Sequence, residues 1–171
     1  MPDNNRPIDG APWVLLDWGD TVMVNFPQYP GPMNDWPEVA ACPGIEDALA
    51  ALAQNYNLAL ATNAQDSEAA DIRKALARVG LGNTFDEIFC FQELGHLKPS
   101  PGFFQQVIQK LVCRAADIIM VGDDFTGDII GATSSGMRAV WYNPSGGEIK
   151  AGTGYTTITH LRELEGTLRL F

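Results

Sequence analysis

Acidic and hydrogen-bonding side chains recur at four places in this 171-residue chain, each at or soon after a short apolar run. The first is Asp17 with Asp20 and Thr21, and the second is Thr62 with Asn63. The third is Lys98, and the fourth is Asp123 with Asp124 and Asp128. Several carboxylates gathered at one point raise one another's pKa, at a cost, unless a cation shares the site. Acidic oxygens with one lysine suit a hard cation such as Mg²⁺, which takes one or two carboxylates plus waters and phosphate oxygens. The Thr62 hydroxyl, backbone N–H groups and the Lys98 ammonium could then hold a phosphoryl group, and a carboxylate is a competent covalent nucleophile. Singly, each residue has a plainer reading. Thr62 ends a strand, Lys98 is a solvated loop lysine, and Asp123 or Asp128 caps a helix. The chemistry depends on their convergence. His96 and His160 are the only histidines; they read as a solvated loop residue and the start of the last helix.

Convergence depends on the elements that carry these residues. Trp13 to Leu16 reads as a buried strand delivering Asp17 at its carboxyl end, where open α/β sheets bind ligands. Further strands are expected over 58–61, 88–91, 118–121 and 139–142, with a short one near 156–158. Helices fall between them. Ile45, Leu49 and Leu52 share one face after Pro43–Gly44, and Ala69, Ile72, Leu76 and Val79 share another, closed by Gly80. Ser100 caps a third helix with Pro101 at its first position and Phe103, Val107 and Leu111 on its buried face. A fourth runs from about Gly127 to Ser135 and stops at Gly136; a last one starts at Leu161. Strands alternating with helices give an α/β fold: a doubly wound, mostly parallel sheet with helices on both faces. Four polar strand ends then lie on one edge. Residues 25–38 hold too many prolines for a helix, with Phe26, Tyr29 and Trp36 among them. They form either a surface loop packed by its own aromatics or a short lid over the end of the first strand. Residues 1–11 read as a loosely attached tail.

A net charge of −10 and a pI near 4.4 argue against nucleic acid or an anionic membrane as partner. They leave a phosphate ligand open, because a divalent metal can reverse the local field. No signal-peptide core or membrane span is visible, and Cys42, Cys90 and Cys113 are widely spaced with no C-x-x-C pair. That pattern fits buried thiols in a reducing cytoplasm.

The four clusters resemble the four motifs of the haloacid dehalogenase-like (HAD) hydrolase superfamily, in order. Asp17-Trp-Gly-Asp-Thr21 resembles D-x-D-G-T, and Leu58-Ala-Leu-Ala-Thr62-Asn63 resembles the second motif. Gly95-His-Leu-Lys98-Pro99 resembles the third, and Gly122-Asp123 through Asp128 the fourth. The resemblance implies one HAD-like domain with a core over 12–168 and a short loop, 22–42, in place of a large cap. It implies Asp17 as nucleophile and metal ligand, the Gly19 carbonyl as backbone metal ligand, and Asp123 and Asp128 as metal acids. Thr62, Asn63 and Lys98 would bind the substrate phosphate, with Lys98 also neutralising Asp17. The implied activity is Mg²⁺-dependent hydrolysis of a small phosphorylated metabolite through an aspartyl-phosphate. An open site suits a bulky substrate or a small one enclosed by a neighbouring subunit of a homo-oligomer.

One departure matters. The family's second aspartate, the usual general acid/base, falls at Gly19, and the nearby acid is Asp20. Asp20 serves as the acid if the loop lets it reach. Otherwise the domain lacks that group and could be a degenerate phosphate- or metal-binding module. Dehalogenases also lack the second acid, but they need no metal, and the metal acids here point away from them.

Overall fold

The computed structural model describes residues 7–171. Six strands, β1 (Trp13–Asp17), β2 (Asn57–Ala61), β3 (Glu87–Phe89), β4 (Ile118–Gly122), β5 (Arg138–Tyr142) and β6 (Tyr155–Ile158), form one sheet in the order β3-β2-β1-β4-β5-β6. Every neighbouring pair is parallel. The chain builds outward from β1 through β2 to β3, then crosses back to β4 beside β1 and builds the other way. That reversal is a switch point, where the loops leaving the two central strands diverge and open a crevice.

The apolar runs explain the layers. Successive side chains of a strand point to opposite faces. Val14 and Leu16 accordingly join a core with Ile45, Leu49, Ile72, Leu76 and Leu164, while Trp13 and Leu15 join another with Phe103, Phe104, Val107 and Ala132. Helices α1 (Ile45–Leu52) and α2 (Ala69–Ala77) cover the first face. The last helix, α6 (Leu164–Leu168), packs there too, against α1. Helix α4 (Pro101–Leu111) and α5 (Gly131–Ser134) cover the second face; α3 (Phe91–Leu94) is the single turn between β3 and α4. The start of α4 follows its sequence signals: the Ser100 hydroxyl accepts from the Phe103 N–H at 3.4 Å, with Pro101 in the first turn. Gly80 and Gly136 take φ of +81° and +84° at helix ends, as stop signals there require.

Three expectations shift. The strand expected over 88–91 ends at Phe89, and Phe91–Leu94 turns into helix, closed by Gly95 at φ +66°. The helix expected from Gly127 starts earlier, as a π-helical turn over Phe125–Ile130 that runs into α5. Its cap is Asp124, whose side chain accepts from the Thr126 and Gly127 N–H groups at 3.0 Å each; neither Asp123 nor Asp128 fills that role. The expected loose tail is held in place over residues 8–11: the Ile8 N–H donates to Asn57 Oδ1 at 2.5 Å, and Asn57 Nδ2 donates back to the Ile8 carbonyl at 2.9 Å. Residues 1–6 of that expected tail lie outside the described residues.

Residues 22–42 form no cap domain. They make a short loop closed by a bridge between Met23 and Ala41, with one 3₁₀ turn at Met33–Asp35. Among the described residues no helix is long and apolar enough to cross a membrane.

Candidate active site

Lys98 organises the carboxyl edge of the sheet. It arrives on the loop after α3, and its ammonium is buried. It donates to Asp17 Oδ1 at 2.6 Å, to Asp128 Oδ1 at 2.7 Å and to the Ala61 carbonyl at 3.0 Å. A lysine has three N–H donors, and all three are occupied. Burial pulls the ammonium pKa down, but Asp17 and Asp128 outweigh it and hold Lys98 above the ordinary lysine value. The backbone of Lys98 is gripped by Asn63, which accepts from its N–H at 2.8 Å and donates to its carbonyl at 3.0 Å. The strand end at Thr62–Asn63 thereby fixes a loop 35 residues later.

Asp128 sits almost fully buried beneath this pair. Its room comes from Gly122, where any Cβ would overlap the Asp128 carboxylate. Burial drives its carboxyl pKa up and the Lys98 ammonium pulls it back, with a net upward direction. Asp123 is held from two sides. The buried Thr21 hydroxyl donates to its Oδ1 at 3.2 Å, and the Trp141 indole N–H donates to its carbonyl at 2.8 Å. Burial first, then the charge of Asp17, pushes Asp123 up to about 6.

One carboxylate oxygen each from Asp17, Asp123 and Asp128 lies within 4.8 Å of the others. Three carboxylates share one ammonium, a deficit of positive charge, and the charge of Asp17 adds to burial, the larger cause, in raising Asp123. A hard divalent cation fits that donor set and that deficit.

The buried Thr62 hydroxyl accepts from the Ala64 N–H at 3.0 Å, which leaves its own O–H to donate. Both ends of the Asn63 amide are occupied by the Lys98 backbone, so that side chain braces the loop. Gly19 lines the cleft above Asp17. Asp20 does not join the three acids or the cleft lining. It is exposed, takes a left-handed φ of +56°, and its carboxylate accepts from the Asn25 N–H at 2.9 Å, closing the turn after β1. His96 is exposed against Gly102 of α4, and His160 caps the last helical segment through Glu163.

The cleft measures about 310 Å³. Asp17, Trp18, Gly19 and Thr62 line it together with Asn25, Gly31, Met33 and Trp36 from the loop after β1. The loop over 25–38 packs its own aromatics and also lines the cleft. Phe26, Tyr29 and Trp36 pack on one another with ring centroids 5.9–6.4 Å apart, and the same loop shares the cleft lining with Asp17. It is anchored by Arg78 of the segment after α2, whose guanidinium donates to the carbonyls of Asn34, Trp36 and Pro37. Sequence reasoning assigned no site role to Thr21, Trp141 or Arg78. Thr21 lies inside the first cluster and carried a signal; Trp141 and Arg78 act through contacts that local pattern does not announce.

Comparison with known proteins points the same way. The profile of haloacid dehalogenase-like hydrolases matches residues 19–142, more than half of the chain. A glyceraldehyde 3-phosphate phosphatase from Methanothermobacter thermautotrophicus is 37% identical over 68 residues, 40% of this chain and 30% of that protein. A ribulose-1,5-bisphosphate 5-phosphatase from Halopiger xanaduensis is 33% identical over 110 residues, 63% of this chain and 44% of that one. The chain therefore spans less than half the length of these curated relatives. An uncharacterized protein from Listeria monocytogenes serotype 4b has the same fold along nearly its whole length: TM-score 0.80, 24% identity, 93% of this chain and 97% of that one.

Proposed function

The chain belongs to the haloacid dehalogenase-like hydrolase family, and on that basis we propose that it hydrolyses a phosphate monoester of a small metabolite, with Mg²⁺, through an aspartyl-phosphate on Asp17. The observation that carries this reading is the buried Asp17–Lys98–Asp128 ion-pair chain beside Asp123, with the Thr62 hydroxyl on the same cleft. Residues 12–168 act as one catalytic domain, with 22–42 in the place of a cap.

Asp17, Asp123 and Asp128, with the Gly19 carbonyl, would hold the metal, which when bound supplies charge neutralisation to the phosphoryl oxygens. Asp17 is the nucleophile because its carboxylate ends β1 at the cleft, where the Lys98 ammonium orients it. The Thr62 O–H, free to donate, contacts a phosphoryl oxygen. Attack of a carboxylate oxygen on phosphorus breaks the ester P–O bond, and the departing alkoxide takes a proton from solvent water and leaves as the alcohol. Water then attacks the acyl phosphate, returning Asp17 and releasing phosphate. Positioning and charge neutralisation supply most of the acceleration.

A second reading, a degenerate domain that binds phosphate or metal with negligible turnover, draws on one observation: Gly19 offers no acid, and Asp20 is occupied by the Asn25 N–H. Phosphate release across a metabolite panel separates the two. The hydrolase reading expects turnover that needs Mg²⁺, stops with EDTA and is lost in Asp17→Asn. Turnover that survives EDTA, or an Asp17→Asn variant with wild-type kcat, would sink the mechanism. No release from any ester, p-nitrophenyl phosphate included, favours the degenerate module.

A further inference from the structure

The cleft's walls say what kind of alcohol it takes, given the hydrolase reading above. None of the twelve residues lining it is Lys, Arg or His. The two cations near it are both occupied. Lys98 has its three N–H donors on Asp17, Asp128 and Ala61, and Arg78 turns its guanidinium onto the outer backbone of the loop at Asn34, Trp36 and Pro37. The lining instead carries Asp66, which is exposed and, among the described residues, accepts a hydrogen bond only from the neighbouring Ser67 hydroxyl, at 3.2 Å. The remaining lining is apolar or neutral: Trp36 and Met33 on the loop, Asn25, Asn63 and Ser67 around it.

A second anionic group on the substrate would meet Asp66 with no counter-charge to receive it. We propose that this site selects phosphate monoesters whose leaving alcohol carries no negative charge, and that Asp66 is the residue that excludes acidic ones. The class is a compact alcohol, uncharged or cationic, small enough for about 310 Å³. Bisphosphates and phosphorylated carboxylic acids are rejected. Asp66 acts by charge on the alcohol part of the substrate and is not one of the three clustered acids.

The test uses three two-carbon esters of nearly equal size, assayed with Mg²⁺: O-phosphoethanolamine, 2-hydroxyethyl phosphate and phosphoglycolate. Both kcat/KM and affinity by calorimetry are read for each. The neutral and cationic esters are expected to exceed phosphoglycolate by about tenfold, the scale of one uncompensated like-charge contact in a partly solvated site. In Asp66→Lys the ratio of phosphoglycolate to 2-hydroxyethyl phosphate rises by about tenfold or more, in turnover and in affinity alike. Because the readout is a ratio within one protein, a change in fold or in metal loading cancels. Phosphoglycolate equal to or better than the neutral ester in the wild type overturns the proposal, as does an unchanged ratio in Asp66→Lys. If no ester is hydrolysed, the hydrolase reading fails by itself, and the ranking of the three affinities still decides the charge selectivity.

Discussion

At the scale of single residues the informative feature is the exchange of glycine and aspartate after Trp18. Asp20 stands at φ +56°, a conformation that glycine adopts freely and that aspartate tolerates. Gly19 has no such need, and a Cβ there would meet only Asn25 Cβ, at 4.0 Å. The double change Gly19→Asp with Asp20→Gly therefore suits the backbone at both positions and puts a carboxylate on the cleft lining. A general acid contributes about 10²–10⁴-fold when the leaving group needs a proton. The swap is expected to raise kcat on ethyl phosphate by a factor in that range and to change p-nitrophenyl phosphate little; equal effects on both would mean that phosphate or metal binding had changed instead. The site's main acids were legible because each follows an apolar run, so their types and order survive in one dimension. The Asn63 grip on Lys98 and the Trp141 bond to Asp123 were not, because each joins groups that only the sheet brings together. Asp123 offers a separate check. Its carboxyl stands at about 6 in the folded chain against 3.8 as the ordinary value. Between those pH values the folded chain holds a proton that the unfolded chain has released, so with divalent metal chelated stability falls as pH rises through the window. Thermal melts in EDTA at about pH 4 and about pH 7 should show a smaller drop for Asp123→Asn than for the wild type. An equal drop in both would assign the slope to other groups.

Among the elements, those with a full apolar period were readable and those decided by competition were not. The Ile45, Leu49 and Leu52 stripe of α1 and the Phe103, Val107 and Leu111 stripe of α4 all lie in the core. At Phe91 the apolar run continues, which suggests strand, but Gln92, Glu93 and Leu94 favour helix and Gly95 supplies the left-handed stop, so the chain turns. The loop over 25–38 could be read as irregular from its prolines, but its anchoring by Arg78 depends on where α2 packs. The end of α4 holds an opposite case, a residue that local rules disfavour. Val112 is 88% exposed and left-handed at φ +50°, ψ +42°, and a β-branched side chain there is a genuine outlier. The left-handed conformation costs such a residue roughly 1–2 kcal/mol, and exposure at Val112 leaves little packing to lose. Val112→Asn is thus expected to stabilise the chain by about 1 kcal/mol, a rise in melting temperature of about 2–4 °C for a domain of this size. A melting temperature that stays put or falls would show that the valine makes a compensating contact.

For the molecule as a whole, the site lies where the sheet's order reverses. Strands β1 and β4 are hydrogen-bonded neighbours in register, Leu16 opposite Val121, so Asp17 and the Gly122–Asp123 turn leave the sheet side by side. Thr62 follows from β2 and Lys98 from beyond β3, and the wall loop departs from β1 itself. This architecture concentrates acids on one edge of a chain that is already strongly acidic, and in the absence of a cation their mutual repulsion works against the folded state. A ligand that binds only the folded chain stabilises it by RT ln(1 + [L]/Kd), about 2.7 kcal/mol at a hundredfold excess over Kd. For a domain of this size that corresponds to a rise of roughly 5–10 °C. Titrating MgCl₂ into EDTA-stripped protein should therefore raise the melting temperature along a saturating curve. NaCl at matched ionic strength would give a smaller, unsaturating change, because screening acts on all surface charges alike. Asp123→Asn should begin from a higher baseline, having lost a repelling charge, and should show a much smaller response to MgCl₂. If wild type and variant respond equally, the ion is bound elsewhere or only screens. The three acids would then be a repulsive cluster with Lys98 as its one counter-charge among the described residues, and the metal-dependent reading of the site would fall with them.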